Sequence, residues 1–407
     1  MAAPSQAGQG SPGVTNPHGG GSPFGQALPM LCFLAVAFSL GFIARILVGP
    51  LMVPVTRELS ASNTQAGGFV LMLGLGATLA LLGSGFVSRL LGHRPTIAAA
   101  LLATAGCCAL AGTARDIVHF QLALFGLGAA SGLYLPSAIS TITAITRRED
   151  WGRALAVHET APNVSFVAAP LLAEFFVERS DWRSAFLVLG AGAGLAALAY
   201  LLRGPGRRLY GEAPSPRLVR DLISRPVFWI LALLFGLAVG ATLGPYTMLP
   251  LYLVQERGLS REEANVLLSL SRVSGVFMAV VGGMCSDRFG PRRTILFYLA
   301  AVGVFTICLG LAQGGWLTAF VLLQPLVSVG FFPAGFSMIS RAFPWESRNV
   351  AVAFVTPMGA IIGSGLVPLA LGWCGDHIGF GAGFAMQGGL MLLAILAARG
   401  LPGGDGS

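Results

Sequence analysis

The sequence predicts an all-α membrane protein of twelve transmembrane helices in two pseudo-symmetric six-helix bundles, and three observations carry that prediction. Of the 407 residues, 55% are hydrophobic and only 10% charged, against roughly a quarter charged in an ordinary globular domain. Apolar runs of about 20 residues, long enough at 1.5 Å per residue to cross ~30 Å of hydrocarbon, recur along nearly the whole chain. A patterned segment of the first half returns in the second just under 200 residues later.

The rest of the composition fits a bilayer as solvent. The 56 Gly and 24 Pro would weaken soluble helices but are tolerated in membrane helices, where backbones pack closely and kink. All basic residues are Arg, with no Lys, which reads as the habit of a high-GC genome. The formal charge of +8 raises the question of a nucleic-acid or acidic partner, but the arginines lie mostly in short loops and form no basic patch for nucleic acid. Cys32, Cys107, Cys108, Cys285, Cys308 and Cys374 fall in or beside apolar runs without ligand spacing, so neither a disulfide framework nor a metal site is expected. No phosphate-binding loop, nucleotide motif or triad spacing occurs, so no cofactor is expected and an enzyme is not indicated.

Residues 1–28 are rich in Gly, Ser, Pro and Gln without a basic start, a pattern of a disordered tail rather than a signal peptide. Six spans follow at about 29–54, 64–88, 94–113, 116–142, 152–177 and 183–203. An Arg- and Pro-rich linker occupies 204–225, where Gly204, Pro205, Pro214 and Pro216 argue against one continuous helix. Six more spans lie at about 226–253, 263–286, 293–312, 316–340, 349–373 and 378–398, and 399–407 is a second tail. The first bundle is thus expected over 29–203 and the second over 226–398. Counting arginines in alternate loops gives 17 on the linker side, six on the other and two, Arg45 and Arg272, within spans. Because cytoplasmic loops retain positive charge, the linker and both termini are expected in the cytoplasm.

The repeat is clearest after the second span of each half. Gly85–Ile97 aligns with Gly283–Ile295, matching Gly, Ser, Gly, Arg, Thr and Ile in place; Pro136 then aligns with Pro333, and Glu149 with Glu346. Two repeats rocking about a site at their interface is a transporter architecture.

The loop after the eighth span reads Gly283, then Asp287-Arg288-Phe289-Gly290-Pro291-Arg292-Arg293. With twelve spans in this order, the chain resembles the major facilitator superfamily from about 29 to 398. That resemblance implies alternating access, no enzymatic activity, a monomer in the inner membrane of a prokaryote, and a central cavity lined by the first, fourth, seventh and tenth spans. There are departures. In the first-half copy of the loop, Arg89 replaces the expected Asp and Leu90 the expected Arg. The fourth-span arginine of proton-driven drug exporters is replaced by Leu122, and their glycine-rich fifth-span motif survives only as Ala169-Pro170-Leu171-Leu172-Ala173-Glu174. Both gaps weigh against drug efflux, the alternative to an anion carrier.

Asp287 can latch onto a neighbouring helix N-terminus or an arginine, Gly290 permits a tight turn, and Arg288, Arg292 and Arg293 anchor the loop, so Gly283–Arg293 is a candidate gating motif. The alternative is that these arginines only enforce topology. Arg45 and Arg272 carry more information, because an arginine at membrane depth costs ~3 kcal/mol or more and usually serves function. Each lies nine residues from an outer span end, about 13 Å deep at 1.5 Å per residue. Two guanidiniums, one from each half, suit a carboxylate or phosphate gripped bidentately; the bland reading is a structural Arg tied to carbonyls or an acid. The likeness also extends to anion-transporting branches, which the segment Gly41–Arg45 and the position of Arg272 resemble. Glu159 and its neighbour His158, in the fifth span, are candidates for proton coupling, Glu159 through a pKa raised by desolvation, Pro162 supplying a bend. Glu159 could instead neutralise a loop arginine. Tyr134, Tyr246 and Gln324 fall where the resemblance puts the cavity and could bond cargo, packing being the commoner fate. Glu174, His119 and Asp376 lie near outer helix ends and are expected to be solvated.

Overall fold

The computed structural model describes residues 21–205, 209–211 and 215–402 except Ser274, apart from the side chains of Val276, Phe277, Ala279, Val280, Glu346 and Asn349. The first bundle comprises α1 (Phe24–Ile46), α2 (Asn63–Leu91), α3 (His93–Gly112), α4 (Ile117–Ile145), α5 (Trp151–Arg179) and α6 (Trp182–Arg203). The second comprises α7 (Pro226–Gln255), α8 (described over Arg261–Val273 and Gly275–Phe289), α9 (Pro291–Leu311), α10 in two pieces (Gly315–Ser328 and Phe331–Ala342), α11 (Trp345–Ile361 continuing as Val367–His377) and α12 (Phe380–Ala398). Among the described residues eleven stretches are long and apolar enough to cross a membrane, α10 being counted across the turn at 329–330. The twelfth, α8, opens with the charged run Arg261-Glu262-Glu263.

Several predicted boundaries move. The expected tail and first span meet at Phe24 instead of residue 29, and α1 stops at Ile46, eight residues short of the predicted 54. The chain then turns through Leu47–Leu51 into a short helix, Met52–Glu58, where Gly49 and Pro50 interrupt the ladder. Within α11 a π-helical turn, Ile362–Leu366, precedes Pro368. The linker holds its own short helix, Pro216–Ile223. On its way the linker also touches the loop that departs from the motif: His93 donates its backbone N–H to the Leu209 carbonyl (2.8 Å) and Gly211 donates to Ser88 (3.2 Å).

The repeat seen in sequence is written in capping chemistry at a displacement of 198. Ser62 and Gln65 form a reciprocal capping box at the start of α2, and Ser260 and Glu263 form the same box at the start of α8. Each box satisfies two of the backbone groups a helix start would otherwise orphan. Gly92 and Gly290 hold equivalent left-handed turns, φ 85° and 82°, which only glycine adopts without strain. Arg94 caps the Leu201 carbonyl at the end of α6 (2.6 Å), and Arg292 the Arg399 carbonyl past α12 (2.7 Å). Glu58 accepts from Trp182 and Arg183 as α6 begins, while Glu256 accepts from the backbone of Phe380 and Gly381 as α12 begins. Between α2 and α4 the packing is backbone to backbone, and a Cβ on Gly128 would stand 2.1 Å from the Leu73 carbonyl.

The two bundles meet along α2–α11 and α5–α8. The bonds crossing this seam begin at the face opposite the linker, here called the far face, and run inward only to about mid-depth. They include Asn63 and Thr64 to Asp376, Arg261 and Asn265 to Glu174, Ser269 to the Val167 carbonyl (2.8 Å) and Thr78 to the Pro357 carbonyl (3.4 Å). Among the described residues no hydrogen bond joins the bundles nearer the linker face than the last of these. The hydrogen bonds of the seam are thus confined, among the described residues, to its far half.

Candidate functional site

Arg272 lies within the described stretch Arg261–Val273 of α8, and Arg45 is the penultimate residue of α1, which ends at Ile46. Helix carbonyls left without partners at such an end carry partial negative charge, which offsets part of the cost of a buried cation. Arg45 Nη1 donates to Ser131 Oγ of α4 (2.9 Å), and its guanidinium lies 5.6 Å from the centre of the Phe42 ring. Arg272 is buried, donates from Nη2 to the Thr242 carbonyl of α7 (3.0 Å), and sits between two rings, 4.8 Å from Tyr246 and 5.3 Å from Phe166. Phe166 in turn packs edge-on against both Tyr246 (4.9 Å) and Phe42 (5.4 Å). A continuous run of rings therefore joins the two arginines across the seam, with Phe166 of α5 as its middle member.

Charge accounting at this cluster is incomplete. Among the described residues, neither arginine takes part in an ion pair. The Arg272 Nε and the Tyr246 hydroxyl are both buried without a hydrogen-bond partner. Buried donors left unpaired are costly, on the order of 1–3 kcal/mol each and more for a charged group. Aromatic faces recover a part of that for the cation, but they accept nothing from Nε–H in the way an anion's oxygen would.

Other predicted residues fare differently. The Tyr134 hydroxyl donates to the Leu34 carbonyl of α1 (2.8 Å), so it is spent on packing inside the first bundle and is not placed to hold cargo. Gln324 gives its amide to the Ala241 carbonyl (2.8 Å) and Thr306 (3.3 Å), tying α10 to α7 and α9, and only its Oε1 is unpartnered. His158 is fully buried, stacked 4.6 Å from Phe38 and 6.1 Å from Tyr134, with both ring nitrogens unbonded. Its Nδ1 lies 3.5 Å from Glu159 Oε1, outside good hydrogen-bond geometry. Glu159 itself is 57% exposed, so the desolvation expected from its depth is not what the structure shows. The reason is register: Asn163 and Glu159 lie about one and two turns linker-ward of Val167, whose carbonyl accepts from Ser269 of α8, and both side chains are exposed.

In the loop motif, Asp287 is exposed and makes no ion pair among the described residues. Arg288 lies over its neighbour Phe289 (5.5 Å), Arg293 is exposed, and Arg292 is engaged with the end of α12, a structural tie its repeat partner Arg94 shares. Gly283 lies in the last stretch of α8. Glu346, the repeat partner of Glu149, has a side chain outside those described. Near the linker a polar hollow of about 380 Å³ is lined by Ser84, Ser88, His93, Ser140, Thr143 and Tyr210, with no charged group among them.

Of the residues expected to be solvated, Asp376 is exposed but also bonds across the seam, which sequence reasoning missed, and Glu174 is buried, against expectation. Glu174 is 8% exposed and bridges the seam to Arg261 and Asn265. Asp376 receives the backbone N–H groups of Asn63 (2.9 Å) and Thr64 (2.8 Å) and the Thr64 hydroxyl (2.6 Å). The available signal was that both stand at the far end of a span opposite a helix start, a place where a carboxylate is welcome.

The sequence profile of the Major Facilitator Superfamily matches residues 34–283 and 246–404. The chain belongs to that superfamily. It is a multi-span membrane transporter. A 4-hydroxybenzoate transporter of Pseudomonas aeruginosa is 37% identical over 129 residues, 30% of this chain and 29% of that one, so that match spans under a third of either protein. The "probable nitrate/nitrite transporter" of Mycobacterium tuberculosis is 26% identical over 82% of this chain and 85% of its own length. An efflux pump of Mycolicibacterium smegmatis is 26% identical over 90% and 88%. In fold, the chain is similar to a bacterial homologue of the human lysosomal transporter Spinster, solved inward-facing and unoccupied, with TM-score 0.77, 18% identity, and 93% and 98% of the two chains covered.

Proposed function

We propose that this transporter moves a small organic anion by alternating access, with Arg45 and Arg272 as its binding charges and the linker face as its cytoplasmic side. The observation that carries the reading is the unfinished coordination of Arg272: a buried guanidinium without an acid among the described residues, its Nε and the adjacent Tyr246 hydroxyl both lacking a partner there. A carboxylate or similarly flat oxyanion supplies two acceptors in the plane a guanidinium prefers. Two relatives are named for anions, 4-hydroxybenzoate and nitrate or nitrite, in keeping with that chemistry. Tyr246 belongs to this site; Tyr134 and Gln324 leave it.

Proton coupling falls to Glu159, whose side chain is exposed, with His158 behind it as a buried base. A proton carried through the cycle with the anion would offset its charge. The linker face would carry the Asp287 latch when it closes. Efflux of a hydrophobic compound is the second reading, favoured by the efflux-pump relative; two buried cations make a cationic cargo unfavourable.

Proteoliposomes separate the two readings. With an inward proton gradient, labelled 4-hydroxybenzoate or nitrate accumulates in wild type and not in Arg272→Gln, while ethidium stays undriven. Proton-driven ethidium movement without anion flux would overturn the anion assignment.

A further inference from the structure

Gln324 and Gln387 bond to neither arginine, yet both are spent on the stretch of α7 that serves Arg272. That stretch has a gap written in its sequence. Pro245 carries no N–H, so the Ala241 carbonyl one turn earlier has no donor in its own helix, and Pro250 does the same to the Tyr246 carbonyl. At membrane depth such a freed carbonyl must be satisfied by a neighbouring helix. The buried Gln324 of α10 does so for Ala241, donating Nε2 to its carbonyl at 2.8 Å. The buried Gln387 of α12 donates Nε2 to the adjoining Gly240 carbonyl at 2.9 Å. Residue 244 is a glycine with its N–H in place, so rescue of an orphan does not explain this second bond. Among the described residues both amides leave Oε1 unpartnered, so each side chain is oriented by its α7 carbonyl. The next carbonyl along, Thr242, is the one that receives Arg272 Nη2 (3.0 Å), and Tyr246, one turn further on the same face, supplies the ring 4.8 Å from the guanidinium. On another side α11 comes so close that a Cβ on Gly240 would stand 2.8 Å from Val367.

We infer that Gln324 and Gln387 are positioning residues of the anion site: by gripping α7 at its proline gap they set where the Thr242 carbonyl and the Tyr246 ring stand, and with them the Arg272 guanidinium. The inference rests on the anion reading above and adds to it two residues that the cargo never meets. A proline gap is where a helix bends. Two ties from different helices, one on each of two successive carbonyls, fix that bend in place. The bidentate hold of a guanidinium on a flat oxyanion depends on the plane in which the guanidinium is held. A first contact is only as well placed as the residues behind it, and here those residues are the two glutamines.

Ligand-dependent melting of the full-length protein, titrated with 4-hydroxybenzoate and with nitrate, tests this on wild type, Gln324→Leu, Gln387→Leu, Pro245→Ala and the Pro245→Ala/Gln324→Leu pair. Pro245→Ala gives the Ala241 carbonyl an amide of its own helix, which makes Gln324 dispensable for stability but leaves α7 untied from α10. The expected result is that each leucine variant binds the anion taken by wild type about tenfold more weakly, the size of a lost buried hydrogen bond. The pair regains the melting temperature that Gln324→Leu loses and does not regain the affinity. Recovery of affinity together with stability would mean that Gln324 merely satisfies a carbonyl, and overturns the inference. Unchanged affinity in both leucine variants overturns it as well, while the anion reading stands. Should Gln324→Leu fail to fold, Gln387→Leu, whose carbonyl keeps the Gly244 amide, carries the same prediction. A wild type that binds neither anion defeats the anion reading itself, and the positioning role with it.

Discussion

At Arg272 the balance of forces makes a prediction that an ordinary buried ion pair would not. Removing a partnered charge from a protein interior destabilises it by several kcal/mol, because the other partner is stranded. Arg272 has no acid to strand, so Arg272→Gln in the empty protein melts no lower than wild type by differential scanning fluorimetry. Arg261→Gln, which strands Glu174, melts several degrees lower. Glu58 gives a pH-dependent counterpart. Partial burial raises its carboxyl, but the hydrogen bonds from Trp182 and Arg183 and the charge of Arg183 outweigh this and hold its pKa below the ordinary carboxylate value. A depressed pKa contributes stability that is whole above that ordinary value and is lost as pH falls through the depressed one. The melting difference between wild type and Glu58→Gln is therefore present at neutral pH and closes below about pH 4; a difference that persists in acid contradicts the assignment.

At the scale of elements, α2 and α4 approach so closely that a side chain at Gly128 would meet the Leu73 carbonyl. Gly128→Leu is expected to lose several kcal/mol through overpacking and to reduce the yield of monodisperse protein, whereas Gly83→Leu, which faces open space, leaves it unchanged. Span number and order were legible in sequence because apolar length is a strong signal and alternation of Arg-rich loops a second one. Breaks within spans were not: α1 ends at Ile46 through Gly49 and Pro50, and α10 turns at 329–330, where no proline stands. Helix-interior prolines gave no guide, since Pro136, Pro162 and Pro170 lie within continuous helices. Side-chain fate was the least legible. Tyr134 and Glu174 exchanged expected roles because depth along a helix is readable from spacing, while direction around it depends on which neighbour the helix meets.

At the scale of the molecule, the bundles are tied together at the far half of their seam. The seam is also sterically tight: a Cβ on Gly372 would come 2.1 Å from the Asn63 carbonyl across it. Gly372→Leu should wedge the far face open. Spin labels at the exposed positions Arg57 and Glu262, in a background with the native cysteines replaced, report a longer distance in that variant than in wild type; an unchanged distance shows that the seam absorbs the wedge. The repeat itself was visible in sequence over Gly85–Ile97 and Gly283–Ile295, and the capping pairs extend it well beyond those segments.

The central claim is that two arginines, one per bundle and joined by the Phe42–Phe166–Tyr246 rings, await an anion. Ligand-dependent melting of the detergent-solubilised protein tests it most directly, with 4-hydroxybenzoate, nitrate and ethidium as probes against wild type, Arg45→Gln and Arg272→Gln. A ligand held at a hundredfold its Kd adds about 2.7 kcal/mol to the stability of the state that binds it. The account predicts that at least one of the two anions raises the melting temperature of wild type and of neither variant. Stabilisation that survives in either variant, or that ethidium alone provides, would contradict it.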